Sequence, residues 1–316
     1  MALKNKFPNL IFLGGDGFAA AIFERLIKDN IRPKAIFTYP PKERGRGRKP
    51  VANPVRKVAD KYEIECLEFD NYKTDEVVDA IKSLNAKLGV VISFKILPEK
   101  VFNAPEHGMI NLHPSLLPDL RGAAPLNWAI AKGYLKSGIT VFFLDKKIDS
   151  GNILLQKEVE IGCNETYGDL WYKVQKPSAE ILKKAINLIY SGDYKLQNQN
   201  SEKSSYAPRI KQSHLEIDWS KTASQLHNQI RAFAPKPGAF TFFKNKRVKL
   251  FESEVQNNEI SSKNTGEIVD YDDEAVIVTT GKGFLKILML QPENKRKMSG
   301  HDFWLGYVKE KGQSFG

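Results

Sequence analysis

An amide and an imidazole, Asn111 and His113, stand two residues apart at the end of an apolar run that begins at Met109. Side chains alternate faces along a strand, so both groups are predicted to point the same way. Amide and imidazole N–H groups can stabilise the negative charge that builds on a carbonyl oxygen during acyl transfer. Either residue alone is more often structural than catalytic, and the pair gains meaning only from what surrounds it.

The surroundings favour a ligand site. Pro114 ends the predicted strand, a compact apolar turn follows, and Pro125 stands where the first residue of a helix belongs, with that helix running to about Lys132. Polar groups at the carboxyl end of a strand that leads into a loop and a helix are where open α/β sheets bind ligands.

The first two thirds of the chain alternate predicted strands and helices. Strands are expected at 9–13, 35–38, 64–67, 88–98, 139–144 and 153–159, and helices at 19–28, 53–61, 75–84 and 167–190. This order predicts a Rossmann-like, mostly parallel sheet with helices on both faces. The glycines that follow the first strand lack the GxGxxG spacing, so dinucleotide binding is disfavoured.

A polar stretch rich in Asn, Gln and Ser separates this part from a run of short, regularly spaced strands. We predict a catalytic domain over 1–196, a linker over 197–208 and a C-terminal domain over 209–316. Such strands are typical of a small barrel, and either an OB-like or an SH3-like barrel fits the pattern.

The formal net charge of +11 favours a polyanionic partner. Residues 42–57 hold seven basic residues against one acidic, and residues 209–249 hold nine against two. Glycine and proline over 40–50 predict an arm without regular structure that carries several guanidinium groups. A solvated surface loop and a nucleic-acid contact are both consistent with that composition.

Several classes of protein are disfavoured. No apolar run reaches the roughly 18 residues of a membrane helix, and the first eight residues lack the apolar core of a signal peptide, so we expect a cytoplasmic protein with no membrane partner. Cys66 and Cys163 are far apart and have no CxxC or His-rich neighbours. Neither a disulfide framework nor a metal site is predicted.

Three motifs around this site, Asn111-Leu112-His113, Ser115-Leu116-Leu117-Pro118 and the run Arg121–Pro125, resemble the signature of the 10-formyltetrahydrofolate-dependent formyltransferases. The chain is most similar to the branch that acts on methionyl-tRNA, and the likeness extends to Tyr206-Ala207-Pro208 and Leu290-Gln291-Pro292. It implies a Rossmann-like formyltransferase domain followed by an OB-like, tRNA-binding barrel.

The resemblance assigns a catalytic set of Asn111, His113 and Asp149. Asn111 and a protonated His113 would stabilise the negative charge on the formyl oxygen. Asp149 beside His113 would favour the imidazolium and could help to remove the proton of the attacking amine, through water. No serine or cysteine nucleophile is needed, because the acceptor amine attacks directly. The residues implied for binding of the co-substrate 10-formyltetrahydrofolate are Ser115, Leu116, Leu117, Pro118, Phe94 and Ile96.

The resemblance also implies an initiator methionyl-tRNA partner for a monomeric enzyme. The branch carries an Arg-Gly-rich insertion that contacts the acceptor end of the tRNA, and Phe18 matches a residue near the methionyl group. The residues implied for this substrate are Phe18, Arg44, Arg46, Arg48, Lys49 and Arg121.

Two alternatives remain. Formyltransferases that act on the amino sugar of a nucleotide sugar share the Asn-Leu-His and Ser-Leu-Leu-Pro motifs, but they generally lack the insertion at 44–48 and the features at 290–302. A non-catalytic RNA-binding protein that kept the fold would be expected to lose Asn111, His113 or Asp149, and all three are present.

Overall fold

The computed structural model describes residue 7 and residues 9–44, 49–256 and 264–316. Its contacts divide into two compact units. The first unit contains residues up to 122 together with 138–159 and 172–206, and the second contains 123–137, 160–171 and 207–316. Two segments from the predicted catalytic domain therefore pack with the C-terminal residues. The contiguous division at 197–208 stays a prediction.

In the first two thirds of the chain, seven of the ten strands that the structure describes match predicted ones, and the three short strands at 42–44, 49–51 and 121–122 are additional. The bounds of these strands are β1 (Leu10–Gly14), β2 (Ala35–Thr38), β3 (Lys42–Arg44), β4 (Lys49–Val51), β5 (Glu65–Glu68), β6 (Leu88–Ile92), β7 (Met109–His113), β8 (Arg121–Gly122), β9 (Lys136–Phe143) and β10 (Ile153–Glu160). The predicted strand over 88–98 is too long: it ends at Ile92, because Ser93 adopts a left-handed φ of 50° that extended backbone cannot continue.

Within the described residues, one sheet of seven strands has the order β10-β9-β7-β6-β1-β2-β5. β1 pairs in parallel with β2 and β6, and β6 pairs in parallel with β7, whereas β7 and β9 are antiparallel. Every residue of β1 and β6 is buried, as expected for central strands covered on both faces. The prediction of a Rossmann-like, mostly parallel sheet is confirmed.

Several of the helices begin at a residue whose side chain caps the first turn. The bounds of the helices are α1 (Gly17–Lys28), α2 (Pro54–Lys61), α3 (Asp75–Ser83), α4 (Glu99–Phe102), α5 (Pro125–Ala131), α6 (Tyr167–Lys173), α7 (Gln175–Ser191), α8 (Ala223–Phe233) and α9 (Gly300–Phe303). Asp16 caps α1 by accepting hydrogen bonds from the N–H groups of Phe18 and Ala19. No helix among the described residues is long and apolar enough to cross a membrane.

The single helix predicted over 167–190 is in fact two, α6 and α7. Pro177 explains the break, because a proline has no N–H to donate to the carbonyl of Lys173 and its ring would clash with that carbonyl in a continuous helix. At the start of a new helix the same proline is tolerated, since the first N–H groups have no intrahelical partner.

The described parts of the arm, 40–44 and 49–50, are more regular than predicted. β3 and β4 pair as an antiparallel ribbon, with Lys42 opposite Val51 and Arg44 opposite Lys49. A two-stranded ribbon tolerates Pro50 because each of its strands has an unpaired edge. Arg46 and Arg48, which the sequence assigns to tRNA binding, lie outside the described residues.

The second unit contains an antiparallel sheet in the order β12-β13-β16-β15-β14 within the described residues, with β17 beside β16. The remaining strands are β11 (Tyr206–Ala207), β12 (Ala239–Phe243), β13 (Lys246–Gln256), β14 (Ile268–Tyr271), β15 (Val276–Thr279), β16 (Phe284–Pro292) and β17 (Met298–Ser299).

Residues 312–316 join the two edges of this sheet. Gly316 exchanges both backbone hydrogen bonds with Phe242 of β12, at 3.0 and 3.1 Å, and the carbonyl of Gln313 accepts from the N–H of Ile268 of β14 at 2.8 Å. Both edge strands are thereby paired, which closes the sheet and satisfies backbone groups that an open edge would leave free. The predicted OB-like barrel is confirmed.

Candidate active site

Asn111 and His113 lie at the carboxyl end of β7, as predicted. His113 is 5% exposed and Asn111 is half-buried. The register aligns Asn111 with Val91 of β6, and Val91 with Leu13 of β1. The loops that follow these three parallel strands therefore leave the same edge of the sheet, where open α/β sheets bind ligands.

Each nitrogen of the His113 imidazole has a protein group near it. Its Nε2 atom lies 2.9 Å from the carbonyl oxygen of Leu120, and because a carbonyl only accepts, Nε2 carries a hydrogen. Its Nδ1 atom faces the Asp149 Oδ2 atom at 3.8 Å. One N–H is thus committed to the protein backbone, and Nδ1 is the nitrogen left for proton transfer near the carboxylate.

Asp149 reaches His113 through a hairpin loop that folds back along the sheet. The N–H of Phe143 donates to the carbonyl of Asn152 at 3.0 Å, which closes the loop between β9 and β10. Because β9 runs antiparallel to β7, Phe143 lies beside Ile110, at the far end of β7 from His113. The loop over 144–151 must therefore return along β7.

The backbone of this loop is strained where the carboxylate is needed. Asp149 has a φ of 50°, a left-handed conformation that costs a side-chain-bearing residue roughly 1–3 kcal/mol. Its Oδ2 atom accepts a hydrogen bond of 2.8 Å from the N–H of Gly122. At Gly151 an added Cβ would lie 1.8 Å from the Phe143 carbonyl oxygen, so only glycine fits there.

The amide of Asn111 is not used by the fold. Among the described residues, no protein group makes a hydrogen bond to it, in contrast to the ring of His113 and the carboxylate of Asp149, which both have partners. A half-buried amide without a protein partner has its donors and acceptor available to a ligand. An amide, an imidazole and a carboxylate on one face suit the stabilisation of a polarised carbonyl and the removal of a proton from an attacking amine.

The turn Ser115–Pro118 is fixed largely through its own backbone. The Thr140 hydroxyl donates to the carbonyl of Ser115 at 2.7 Å and accepts from the N–H of Leu117 at 3.1 Å. Gln156 donates to the carbonyl of Leu117 at 2.8 Å. Ser115 and Leu117 are 1% and 3% exposed, so these two side chains shape the turn, whereas those of Leu116 and Pro118 remain half-buried.

Phe94 and Ile96, the other residues implied for folate binding, follow β6 at the same edge. The ring of Phe94 stacks on Tyr39 with 4.6 Å between centroids, and burial raises the pKa of Tyr39 to about 12. Ile96 is 67% exposed, which is unusual for an isoleucine beside a catalytic edge. The loop therefore offers an apolar surface to a ligand.

Two of the residues implied for tRNA contact, Phe18 and Arg121, are buried. Phe18 is buried in α1 with 5% exposure. Arg121 is also 5% exposed, and its guanidinium donates two hydrogen bonds to the Oε1 atom of Gln199, at 2.6 and 3.2 Å. A buried guanidinium with this partner faces the protein and not a polyanion. Arg44 and Lys49 belong to β3 and β4.

The sequence does not predict four residues that hold the candidate catalytic groups: Leu120, Gly122, Gln199 and Ser205. Leu120 and Gly122 act through a carbonyl and an N–H, which every residue type possesses, so no sequence signal could have found them. Gln199 and Ser205 lie in the polar stretch that was interpreted as a linker. No group of three or more His, Cys, Asp or Glu that could hold a metal exists in the described part of the chain.

A Rossmann-like sheet with an amide, an imidazole and a carboxylate at one edge, followed by an antiparallel barrel, defines a group-transfer enzyme. The family model described as formyl transferase matches residues 8–186, and the model of the formyl transferase C-terminal domain matches residues 209–308. The chain belongs to the formyl transferase family, which confirms the resemblance found in the sequence.

Curated relatives match along nearly the whole chain. The methionyl-tRNA formyltransferase of Alkaliphilus oremlandii is 36% identical over 308 residues, which cover 97% of this chain and 99% of the relative. That of Thermotoga neapolitana is 36% identical over 304 residues, with 96% of each chain covered.

Solved structures share the fold at lower identity. WlaRD, a sugar 3N-formyltransferase solved with dTDP and 5-N-formyl-THF, has a TM-score of 0.67 and 23% identity, covering 92% of this chain and 99% of that one. HypX from Aquifex aeolicus in complex with tetrahydrofolic acid has a TM-score of 0.63 and 18% identity, covering 98% of this chain and 51% of that one.

Proposed function

We propose that this enzyme transfers the formyl group of 10-formyltetrahydrofolate to the α-amino group of methionine on initiator tRNA, in the cytoplasm. The observation that carries the proposal is the likeness to curated methionyl-tRNA formyltransferases at 36% identity over 97% of the chain. Three solved sugar formyltransferases resemble the chain in fold, at 20–23% identity.

The site supports a direct attack by the amine. The amine nitrogen forms a bond to the formyl carbon, and the bond from that carbon to the folate nitrogen breaks. Asn111 supplies a neutral N–H to the oxygen on which negative charge develops. Because the Nε2–H of His113 is committed to the Leu120 carbonyl, its Nδ1 atom accepts, through water, the proton that the amine loses. The nearby Asp149 carboxylate stabilises the imidazolium that forms, and the departing folate nitrogen receives a proton in exchange.

A folate-type co-substrate fits the edge of the sheet beside Asn111. The loop after β6 carries the exposed Ile96 and the partly buried ring of Phe94, and an apolar surface of this kind suits a flat heteroaromatic group. The turn Ser115–Pro118 adds the half-buried side chains of Leu116 and Pro118 at the end of β7. The hydrogen bonds of this turn to Thr140 and Gln156 keep it in place before a ligand arrives.

The tRNA is held by charge. The net charge of +11 and the seven basic residues in 42–57 provide the phosphate contacts that a tRNA requires. Arg44, Arg46 and Arg48 belong to this basic segment, and the resemblance assigns them to the contact with the acceptor end of the tRNA.

Replacing Arg46 with alanine is expected to raise the KM for tRNA and to leave kcat nearly unchanged. Loss of one phosphate contact should also reduce the slope of log affinity against log salt by about one. Steady-state kinetics at several salt concentrations would measure both effects. The matched control is Lys184→Ala, which removes an exposed positive charge from α7. Equal, salt-independent losses of turnover in both variants would contradict the assignment.

The competing function is formylation of an amino sugar on a nucleotide sugar. The decisive experiment offers the purified enzyme 10-formyltetrahydrofolate with methionyl initiator tRNA in one reaction and a dTDP- or UDP-linked amino sugar in another. We expect formyl transfer to the tRNA and none to the sugars. Preferential transfer to a sugar would overturn the proposal in favour of the alternative.

A further inference from the structure

Residues 197–206, part of the stretch 197–208 predicted to be a linker, pack within the first unit. Gln197 exchanges two backbone hydrogen bonds with Ile153 at 2.8 and 2.9 Å, which places the stretch beside the start of β10. Ser201–Lys203 then forms a short 3₁₀ turn capped by Asn200. Specific hydrogen bonds therefore hold the start of this stretch beside β10.

We propose that Gln199 is a positioning residue that holds the Asp149 carboxylate against His113. The Nε2 atom of Gln199 donates to the carbonyl of Asp149 at 3.0 Å and to that of Gly151 at 2.8 Å. Its Oε1 atom accepts both hydrogen bonds from Arg121. Two donors and two lone pairs are all that a primary amide possesses, so the side chain is fully committed.

The orientation of the Gln199 amide is unambiguous. Carbonyl groups only accept and a guanidinium only donates, so the nitrogen must face the loop and the oxygen must face Arg121. The tether acts where the backbone of Asp149 is in its strained left-handed conformation, with φ at 50°. Such a conformation persists only when its surroundings over-determine it, and the amide supplies two of the restraints.

The same stretch also holds the other side of the catalytic pair. The Ser205 hydroxyl accepts from the N–H of Leu120 at 3.0 Å and donates to the carboxylate of Asp119, and the Ser205 carbonyl accepts from the N–H of Arg121 at 2.9 Å. Leu120 is the residue whose carbonyl receives the His113 N–H. Residues 199–205 thus fix both loops that meet at the imidazole.

The variant Gln199→Glu distinguishes a role in positioning the Asp149 loop from a role in the stability of the protein. A carboxylate would keep, and strengthen, the pairing with buried Arg121, so the melting temperature should not fall. It cannot donate to the carbonyls of Asp149 and Gly151, so the loop loses its tether. This inference rests on the proposed function, and we expect kcat to fall about 10- to 100-fold because the carboxylate is misplaced. KM for both substrates should stay within about twofold.

The matched control is Gln197→Glu, which introduces the same charge two residues away. The side chain of Gln197 is exposed, and its contacts with Ile153 are made by backbone atoms. Its kcat and melting temperature should equal those of the parent. A parallel loss in both variants would assign the effect to charge and would overturn the proposal.

A double-mutant cycle tests whether Gln199 acts through Asp149. Single-turnover rates are measured for Gln199→Glu in the parent enzyme and in an Asp149→Asn background. If the glutamine serves only to place the carboxylate, its substitution should have little further effect once the carboxylate is absent. If the substitution lowered the single-turnover rate by the same factor in both backgrounds, Gln199 would act independently of Asp149, and the mechanism would be refuted.

Hydrogen exchange distinguishes failure of this inference from failure of the proposed function, because it needs no substrate. Amides over 145–152 should exchange faster in Gln199→Glu than in the parent, whereas Gln197→Glu should leave them unchanged. If exchange over 145–152 were unaltered, the proposed role of Gln199 would be rejected even if the enzyme were active. Faster exchange in a protein that does not formylate tRNA would instead count against the proposed substrate alone.

Discussion

His113→Ala is expected to lower kcat by about 100- to 10,000-fold, the range contributed by a positioned acid–base group. The imidazole is the group that lies 3.8 Å from the Asp149 carboxylate, and its other nitrogen is fixed by the carbonyl of Leu120. Alanine removes both the proton acceptor and the hydrogen bond. Steady-state kinetics with saturating tRNA and folate would measure the loss.

Two further variants show whether the loss of kcat comes from the missing proton acceptor or from a disturbed turn. His113→Gln can still donate to the Leu120 carbonyl but cannot shuttle a proton at neutral pH, so it should recover the melting temperature of the parent without its turnover. His107→Ala removes an imidazole whose side chain is 33% exposed and should retain full activity. Turnover in His113→Gln close to that of the parent would show that the imidazole only holds the turn.

Asn111→Ala is expected to lower kcat by about 100- to 1,000-fold, the usual cost of removing one oxyanion donor, or roughly 3–4 kcal/mol. The prediction follows because, among the described residues, no protein group makes a hydrogen bond to the Asn111 side chain. Its removal should therefore raise the free energy of the transition state more than it lowers the stability of the folded protein. Thermal unfolding should therefore change little. Kinetics and a melting curve on the same preparation test both parts.

The variant Asn111→Asp tests the same role by placing a negative charge beside the formyl oxygen. A carboxylate at this position would repel the negative charge that develops on the formyl oxygen, so its kcat should fall below that of the alanine variant. Asn103→Ala removes an exposed amide elsewhere in the first unit and serves as the control. If the aspartate variant were more active than the alanine variant, Asn111 could not be the oxyanion donor.

Some of the placement could be predicted because it depends on local periodicity. Asn111 and His113 share a face because they lie two residues apart on one strand, and β7 begins and ends at the predicted residues. The Rossmann-like sheet followed from alternating strands and helices, and the barrel followed from short strands at regular spacing. Pro177 is a local signal that the helix prediction over 167–190 did not take into account, and it divides that helix in two.

Other features could not be read from local sequence. The antiparallel course of β9 sends Asp149 away from His113, and only the fold-back of the 144–151 loop returns it. The backbone partners of His113 and Asp149 carry no side-chain signature. Polar residues around Gln199 have the composition of a linker, although they are tied to both catalytic loops.

By itself, the amino-acid sequence of this formyl transferase determined the class of fold, the strand that bears Asn111 and His113, and the basic segment that suits a polyanion. These depend on residue type and on spacing along a single element. Only the tertiary structure decided which nitrogen of His113 faces Asp149, that Arg121 points into the protein, and that Gln199 braces the carboxylate. Those outcomes depend on hydrogen bonds between segments far apart in the chain, whose geometry is fixed only when the loops are packed together.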